Sequence, residues 1–297
     1  MSTNIITRSS SNARRRVRRK LIGGATAFAS CLTLWGGFAA ANGGASGSIS
    51  GVGAGARVVV DGSSAWAGLI NLATGDGSTV PTYCIDLHTP TSVGVPYTEW
   101  TWGSAAVANV AQVASVLHHG YPTVDVVTLG SLVGAPITAA QAAAGTQLAI
   151  WSFSDGMVID RTNAPEVLAV ADYLVSVAGA AGEPAPSLHV TPFWSDGVAG
   201  DRVGPFTVST TASQVTVTVS SGVAVDASGA PVSVLGNGDE FFVVGSDAGE
   251  VSVEVSGVGV VSTGRVFVTS ETSQRQKLIA ASTVSAPVRA VSTVSLA

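Results

Sequence analysis

Residues 182–186, Gly182-Glu183-Pro184-Ala185-Pro186, mark the point at which the texture of this chain changes. Upstream, apolar residues recur at helical spacing. From Ser104 to His119 the positions Val107, Val110, Ala111, Ala114 and Leu117 trace one face behind a serine cap, and Gly120 with Pro122 supplies a stop. Thr138-Ala139-Ala140-Gln141 is a capping box opening a helix to about Phe153, and Asn163-Ala164-Pro165-Glu166 opens another that ends near Gly179. Before these, short apolar runs at 57–60, 65–72 and 82–87, separated by Asp-Gly punctuation, read as strands. Downstream of residue 186 the period becomes two, at 206–209, 214–220, 240–244, 251–255 and 265–268, with turns at Ser228-Gly229 and Asn237-Gly238. The expected fold class is α+β: a domain of mixed strands and helices over 57–182, then an all-β Ig-like sandwich over 187–282. Residues 42–56 read as a flexible leader and residues 283–297 as an extended C-terminal tail.

The chain has 297 residues, enough for each part to bury a core, and only 11% of them are charged. Seven of the 14 basic residues lie between Arg8 and Lys20, while no acid occurs before Asp61. What remains is an acidic body that repels phosphate backbones, which sets nucleic acid aside as a partner. The basic stretch Arg14–Lys20 runs into an apolar one from Leu21 to Ala40 and then into Ala39-Ala40-Ala41, the layout of a signal peptide over 1–41 cleaved after Ala41. The alternative is a membrane anchor; Gly23, Gly24, Gly36 and Gly37 and the small-residue exit favour removal. Arg18-Arg19 leaves the choice between general and twin-arginine export open.

Cys31 leaves with such a signal, so the exported chain keeps one cysteine, Cys84, and forms no internal disulfide. A lone cysteine in an oxidising compartment is a buried inert thiol, a site of pairing between chains, or a thiol committed to other chemistry. Its neighbours are Tyr83-Cys84-Ile85-Asp86 on a predicted strand. Thr146-Gln147-Leu148-Ala149-Ile150-Trp151 lies on a predicted helix, where Gln147 falls at helical spacing from Ala140, Ala143, Ala144, Ile150 and Trp151. That spacing turns the Gln147 amide toward the core. A buried amide is ordinarily satisfied by backbone, yet Ala143, Ala144 and Gly145 leave room for another backbone, such as the Tyr-Cys strand, to approach.

These two segments together resemble the Cys-Gln thioester domains, signature TQxA, of surface proteins from Gram-positive bacteria. The resemblance covers roughly 57–180, and the Ala, Gly and Val richness suits an actinobacterial source. It implies an internal thioester between Cys84 and Gln147, formed with loss of ammonia, in an environment that includes Tyr83, Thr146 and Trp151. The aromatic residues would then keep water from the bond. The function implied is a secreted or cell-surface adhesin that captures an amine covalently, such as a Lys on a host or neighbouring-cell protein, with association with the cell wall and without turnover as an enzyme. Two alternatives stay open: an unreactive internal crosslink in a structural protein, and a transamidase using Cys84 as nucleophile. Family members often carry a sortase signal of LPxTG type; no such motif or C-terminal anchor is found in this sequence.

Lysine usage fits an activated acyl group, since only Lys20 and Lys277 occur and the exported chain keeps Lys277 alone. The same scarcity denies the second domain, from Leu188 to Ser270, an internal Lys-Asn isopeptide bond. His88, His118 and His119 raise a cysteine-protease reading, but a strand cysteine lacks the helix N-terminus that favours a thiolate, and His118-His119 suit a helix C-terminus. No metal-ligand spacing, calcium loop or phosphate cradle is present in the sequence, so no metal and no cofactor is expected.

Overall fold

A computed structural model describes residues 43–269 and 275–297. The expected export signal, with Cys31, lies outside the described residues.

Four strands open the chain: β1 (Gly44–Val60), β2 (Ser63–Thr74), β3 (Thr79–Cys84) and β4 (Pro96–Trp100). The leader expected over 42–56 is instead the first part of β1. Its glycines are there for a bent strand rather than a loose one. Gly55 pairs with Gly68 of β2, and a Cβ on Gly68 would lie 2.4 Å from the Ala54 carbonyl oxygen. Register shifts at Ile49/Gly51 and Val52/Gly55 bend the strand as β-bulges do.

The helical segment follows as α1 (Trp102–Ala105), α2 (Val110–His119), α3 (Val126–Val133), α4 (Ala139–Ser154) and α5 (Pro165–Val177). The single helix expected from 104 to 119 is broken between α1 and α2, where Ala106 and Asn109 take left-handed backbone angles. Helix α4 starts on the expected capping box: the Thr138 N–H donates to Gln141 Oε1 at 2.8 Å, and the Gln141 N–H to Thr138 Oγ1 at 3.2 Å. Residues 142 to 151 of α4 are all buried, so this helix is enclosed on every side. Gly145 lets α5 close on it; a Cβ there would meet Val170 Cβ at 2.6 Å. The close approach thus serves helix packing, not the cysteine strand. Among the described residues no helix is long and apolar enough to cross a membrane.

The remaining strands are β5 (Leu188–Thr191), β6 (Trp194–Gly197), β7 (Val203–Thr210), β8 (Val215–Val219), β9 (Val223–Val225), β10 (Val234–Leu235), β11 (Glu240–Val244), β12 (Gly249–Val261), β13 (Val266–Val268), β14 (Leu278–Ala280) and β15 (Val284–Leu296). The architecture is α+β, with two antiparallel sheets making a sandwich-like region in the C-terminal part. One is β5-β7-β11-β9; the other, β10-β8-β12-β15, continues into β1. Leu188, Phe206, Phe241 and Val243 from the first share one buried cluster with Val217, Val253, Val288 and Val294 from the second. The stretch expected as a C-terminal tail over 283–297 is instead mostly β15, an interior strand paired along its length with β12 and in places with β1 and β6.

The boundary at 183–186 does not divide the sheets. β13 and β14, from beyond it, lie between β3 and β4, and β4 pairs in turn with β1, so β1-β2-β3-β14-β13-β4 closes into a ring of six strands. Closure leaves no free edge in the strand that carries Cys84. A buried ionic network holds the junction. Arg265 Nε donates to Glu99 Oε1 at 2.7 Å, its Nη1 reaches Glu183 and the Pro184 carbonyl at 3.0 Å each, and its Nη2 reaches the Trp100 carbonyl at 3.0 Å. Glu99 also accepts from the backbone N–H of Ala45 and of Ser187 and from the Ser187 hydroxyl. The Pro-rich segment is therefore fastened at both ends.

Candidate functional site

Cys84 ends β3 and Gln147 lies in the middle of α4; both are buried, at 2% and 1% exposure. The helix meets the strand through a two-point clasp. The backbone N–H of Cys84 donates to Gln147 Oε1 at 3.1 Å, and Gln147 Nε2 donates to the Cys84 carbonyl at 2.8 Å. The side-chain amide thus accepts one bond from, and donates one to, the residue that carries the thiol. Asn163 makes the same clasp on Val59, accepting its N–H at 2.7 Å and donating to its carbonyl at 3.0 Å. A buried amide can therefore serve as a backbone partner alone; at Gln147 the clasped residue is the one that carries the thiol.

Cys84 Sγ accepts a long bond from the Asp86 N–H at 3.4 Å. Burial pushes the thiol up to about 12, against smaller lowering effects of the Asp86 N–H and the Trp151 indole, while the Asp155 and Asp86 carboxylates add to the rise. The sulfur is consequently a neutral thiol at ordinary pH, the reverse of an activated protease cysteine. His88 is exposed, and the His119 ring bonds the Ser115 carbonyl at 2.8 Å in the last turn of α2. Among the described residues, no group of three or more His, Cys, Asp or Glu could hold a metal.

The three expected neighbours take separate places. Trp151 joins Cys84 in one buried cluster with Leu148, Ile70 and Tyr97. Tyr83, next along β3, points to the opposite face, where its hydroxyl donates to the Tyr121 carbonyl at 2.8 Å. Thr146 faces that side too; its hydroxyl donates to the Ala142 carbonyl at 2.8 Å and accepts the Tyr121 N–H at 3.2 Å. Tyr83 and Thr146 fix β3 and α4 to the same turn, which sets the depth at which Cys84 meets Gln147.

The roles of two further residues escape a reading of the sequence. Asp155, part of the Ser154-Asp155-Gly156 turn, accepts the Leu87 N–H at 3.0 Å and so ties the loop after Cys84 to the end of α4. Tyr97, on the unrecognised β4, is buried near the cysteine, with its hydroxyl on the Gln276 carbonyl at 2.8 Å. Lys277 also lies close by: the Ile85 N–H bonds its carbonyl at 3.0 Å, and Leu278 is the register partner of Cys84. Strand alternation sends the Lys277 side chain to the Tyr83 face, away from the sulfur.

Residues 81–180 match the family model for the thioester domain. No curated protein matches the chain. Among solved structures, the Bacillus anthracis TIE protein is similar at 17% identity over 85% of this chain, with a TM-score of 0.39; the chain spans 49% of that protein. The thioester domain of the Enterococcus faecium TIE86 protein aligns with 85% of this chain and 94% of its own at 13% identity and a TM-score of 0.36. The N-terminal thioester domain of a surface protein from Clostridium perfringens aligns with 73% and 87% at 12% identity and a TM-score of 0.36.

Proposed function

We propose that residues 81–180 work as a thioester domain, in which Cys84 Sγ bonds to the side-chain carbonyl carbon of Gln147 and captures a target amine. In the first step the thiol sulfur adds to that carbon, the C–N bond breaks, and the thiol proton leaves with the amide nitrogen as ammonia. In the second, an amine nitrogen forms an amide with the same carbon, the C–S bond breaks, and a proton from the amine ends on Cys84. The observation that carries the reading is the buried clasp between Gln147 and the Cys84 backbone. In it the Cys84 N–H is aimed at the oxygen on which negative charge develops as a nucleophile adds, which is how an oxyanion hole acts. The family match over the same segment supports it.

The amine in this reading is a Lys on a protein of a host or neighbouring cell surface, or a small amine. The chain is exported by its N-terminal segment and works at the cell surface or in the cell wall. The C-terminal Ig-like sandwich acts as a spacer. Capture consumes the thioester, so the domain acts once and is not an enzyme. A thiol held neutral by burial argues against the transamidase alternative. The near-complete burial of both residues favours one second reading, a crosslink that stiffens the fold and meets no partner.

Methylamine separates the two. Capture predicts that peptide mapping after treatment finds methylamine on Gln147 and an alkylatable Cys84, with neither change in a Cys84→Ala protein. An untouched Gln147 with Cys84 still blocked would leave the crosslink and remove capture.

A further inference from the structure

The clasp leaves the indole of Trp151 unused. Trp151 follows Gln147 by about one helical turn on α4, so the two side chains leave the same face of the helix. Trp151 is 1% exposed, and its indole N–H is buried with no hydrogen-bond partner. A folded protein rarely keeps such a donor unpaired, and one beside reactive groups points to an acceptor that forms in another state. The neighbouring acceptor is the Cys84 sulfur: the indole lies near enough to favour a charged thiol, while no formed hydrogen bond joins the two. The sulfur accepts a long bond from the Asp86 N–H, and the Asp86 and Asp155 carboxylates oppose negative charge on it. When an amine opens the thioester, the departing sulfur gains negative charge in this pocket, and a donor to it lowers the barrier.

We propose that Trp151 is a catalytic residue of amine capture, its indole N–H donating to the Cys84 sulfur as the bond to Gln147 breaks. The proposal rests on Cys84 and Gln147 being a thioester pair. The amine lone pair makes the new C–N bond, the C–S electron pair moves to the sulfur, the amine proton ends there, and the indole keeps its own proton throughout. Phenylalanine fills nearly the same volume without the N–H, so the ring and the donor are separable. Trp66 provides the control. Among the described residues it is the other indole with a buried, unpartnered N–H, and it lies on β2 four residues before Ile70, whose register partner is Thr82 of β3.

The test compares methylamine opening, followed by intact mass across a range of pH, in the Trp151→Phe and Trp66→Phe proteins. The expected result is a loss of about tenfold to a hundredfold at Trp151, the size of a hydrogen bond to a charged acceptor, at every pH, and no change at Trp66. A Trp151→Phe rate equal to the parent, or the same slowing in both variants, would overturn the proposal. A second readout does not depend on the thioester: in ¹⁵N-labelled protein the Trp151 indole N–H resonance should move on Cys84→Ala, and an unmoved resonance would also overturn it. If the untreated parent has the full sequence mass, the thioester reading fails by itself, while the resonance still reports whether the indole meets the sulfur.

Discussion

Replacing Glu99 by alanine removes the carboxylate at the centre of the junction between the closed ring of strands and the C-terminal sheets. Four donors converge on it: Arg265 Nε, the N–H of Ala45, and the N–H and hydroxyl of Ser187. A simple sum over four bonds overstates the loss, because partners remain. The Ala45 N–H keeps a 3.2 Å bond to Ser187 Oγ, and Arg265 keeps Glu183 and the carbonyls of Pro184 and Trp100. The groups left without a partner are the N–H and hydroxyl of Ser187 and one face of a guanidinium that is 3% exposed. Three unpaired buried donors at about 1–3 kcal/mol each give about 3–9 kcal/mol. That range brackets the 3–5 kcal/mol typical of breaking one side of a buried ion pair. In urea, with an m value of about 3 kcal/mol/M for a chain of this size, the midpoint should fall by about 1 M or more, and β-sheet circular dichroism should follow a single transition. The combined replacement Glu99→Leu with Arg265→Met should recover much of the loss, since an apolar pair needs no partner. A Glu99→Ala midpoint within about 0.3 M of the parent would refute the view that this network holds the two parts together.

Other outcomes follow from single contacts. After methylamine opens the site, the free Cys84 thiol has its pKa raised from 9.0 to about 12 by burial. The folded state then holds a proton that the unfolded chain releases, so stability is full below about pH 9 and falls as pH climbs toward 12. The closed form has no proton to lose there, so melting curves of the two forms should diverge above about pH 9; parallel curves would contradict the burial argument. Gly145→Ala places a Cβ 2.6 Å from Val170 Cβ and 2.8 Å from the Val167 carbonyl oxygen, and should cost about 1–3 kcal/mol in thermal or urea unfolding as α5 is pushed off α4. Asn163→Ala should destabilise by about 1–3 kcal/mol through the unpaired Val59 backbone while leaving methylamine uptake unchanged, which separates a structural clasp from a reactive one.

The residues at the candidate site were legible in the sequence because each carries a local signal. Thr138 and Gln141 announce the start of α4, which fixes the phase that turns Gln147 inward, and a single retained cysteine draws attention to Cys84. What the sequence hid is topological. Val266–Val268 and Leu278–Ala280 are short runs whose partners lie some 170 to 200 residues upstream, in β4 and β3, and no periodicity encodes that distance. The Pro-rich segment looks like a linker because composition does not register that Glu183 and Pro184 hold a buried arginine. The glycines of 44–55 read as flexibility, when in a paired strand the same residues permit bulges and close crossing. Strand β4 was missed because Pro96, Thr98 and Glu99 break the apolar alternation, and Glu99 is polar there because it serves the junction.

The intact mass of the untreated exported protein, with Cys84→Ala as the reference, decides whether Cys84 and Gln147 are joined. A joined pair leaves the parent one ammonia lighter than its sequence and the variant at its full sequence mass. A parent at full sequence mass, with an unmodified Gln147 and a Cys84 that alkylates once the fold is opened, would contradict it.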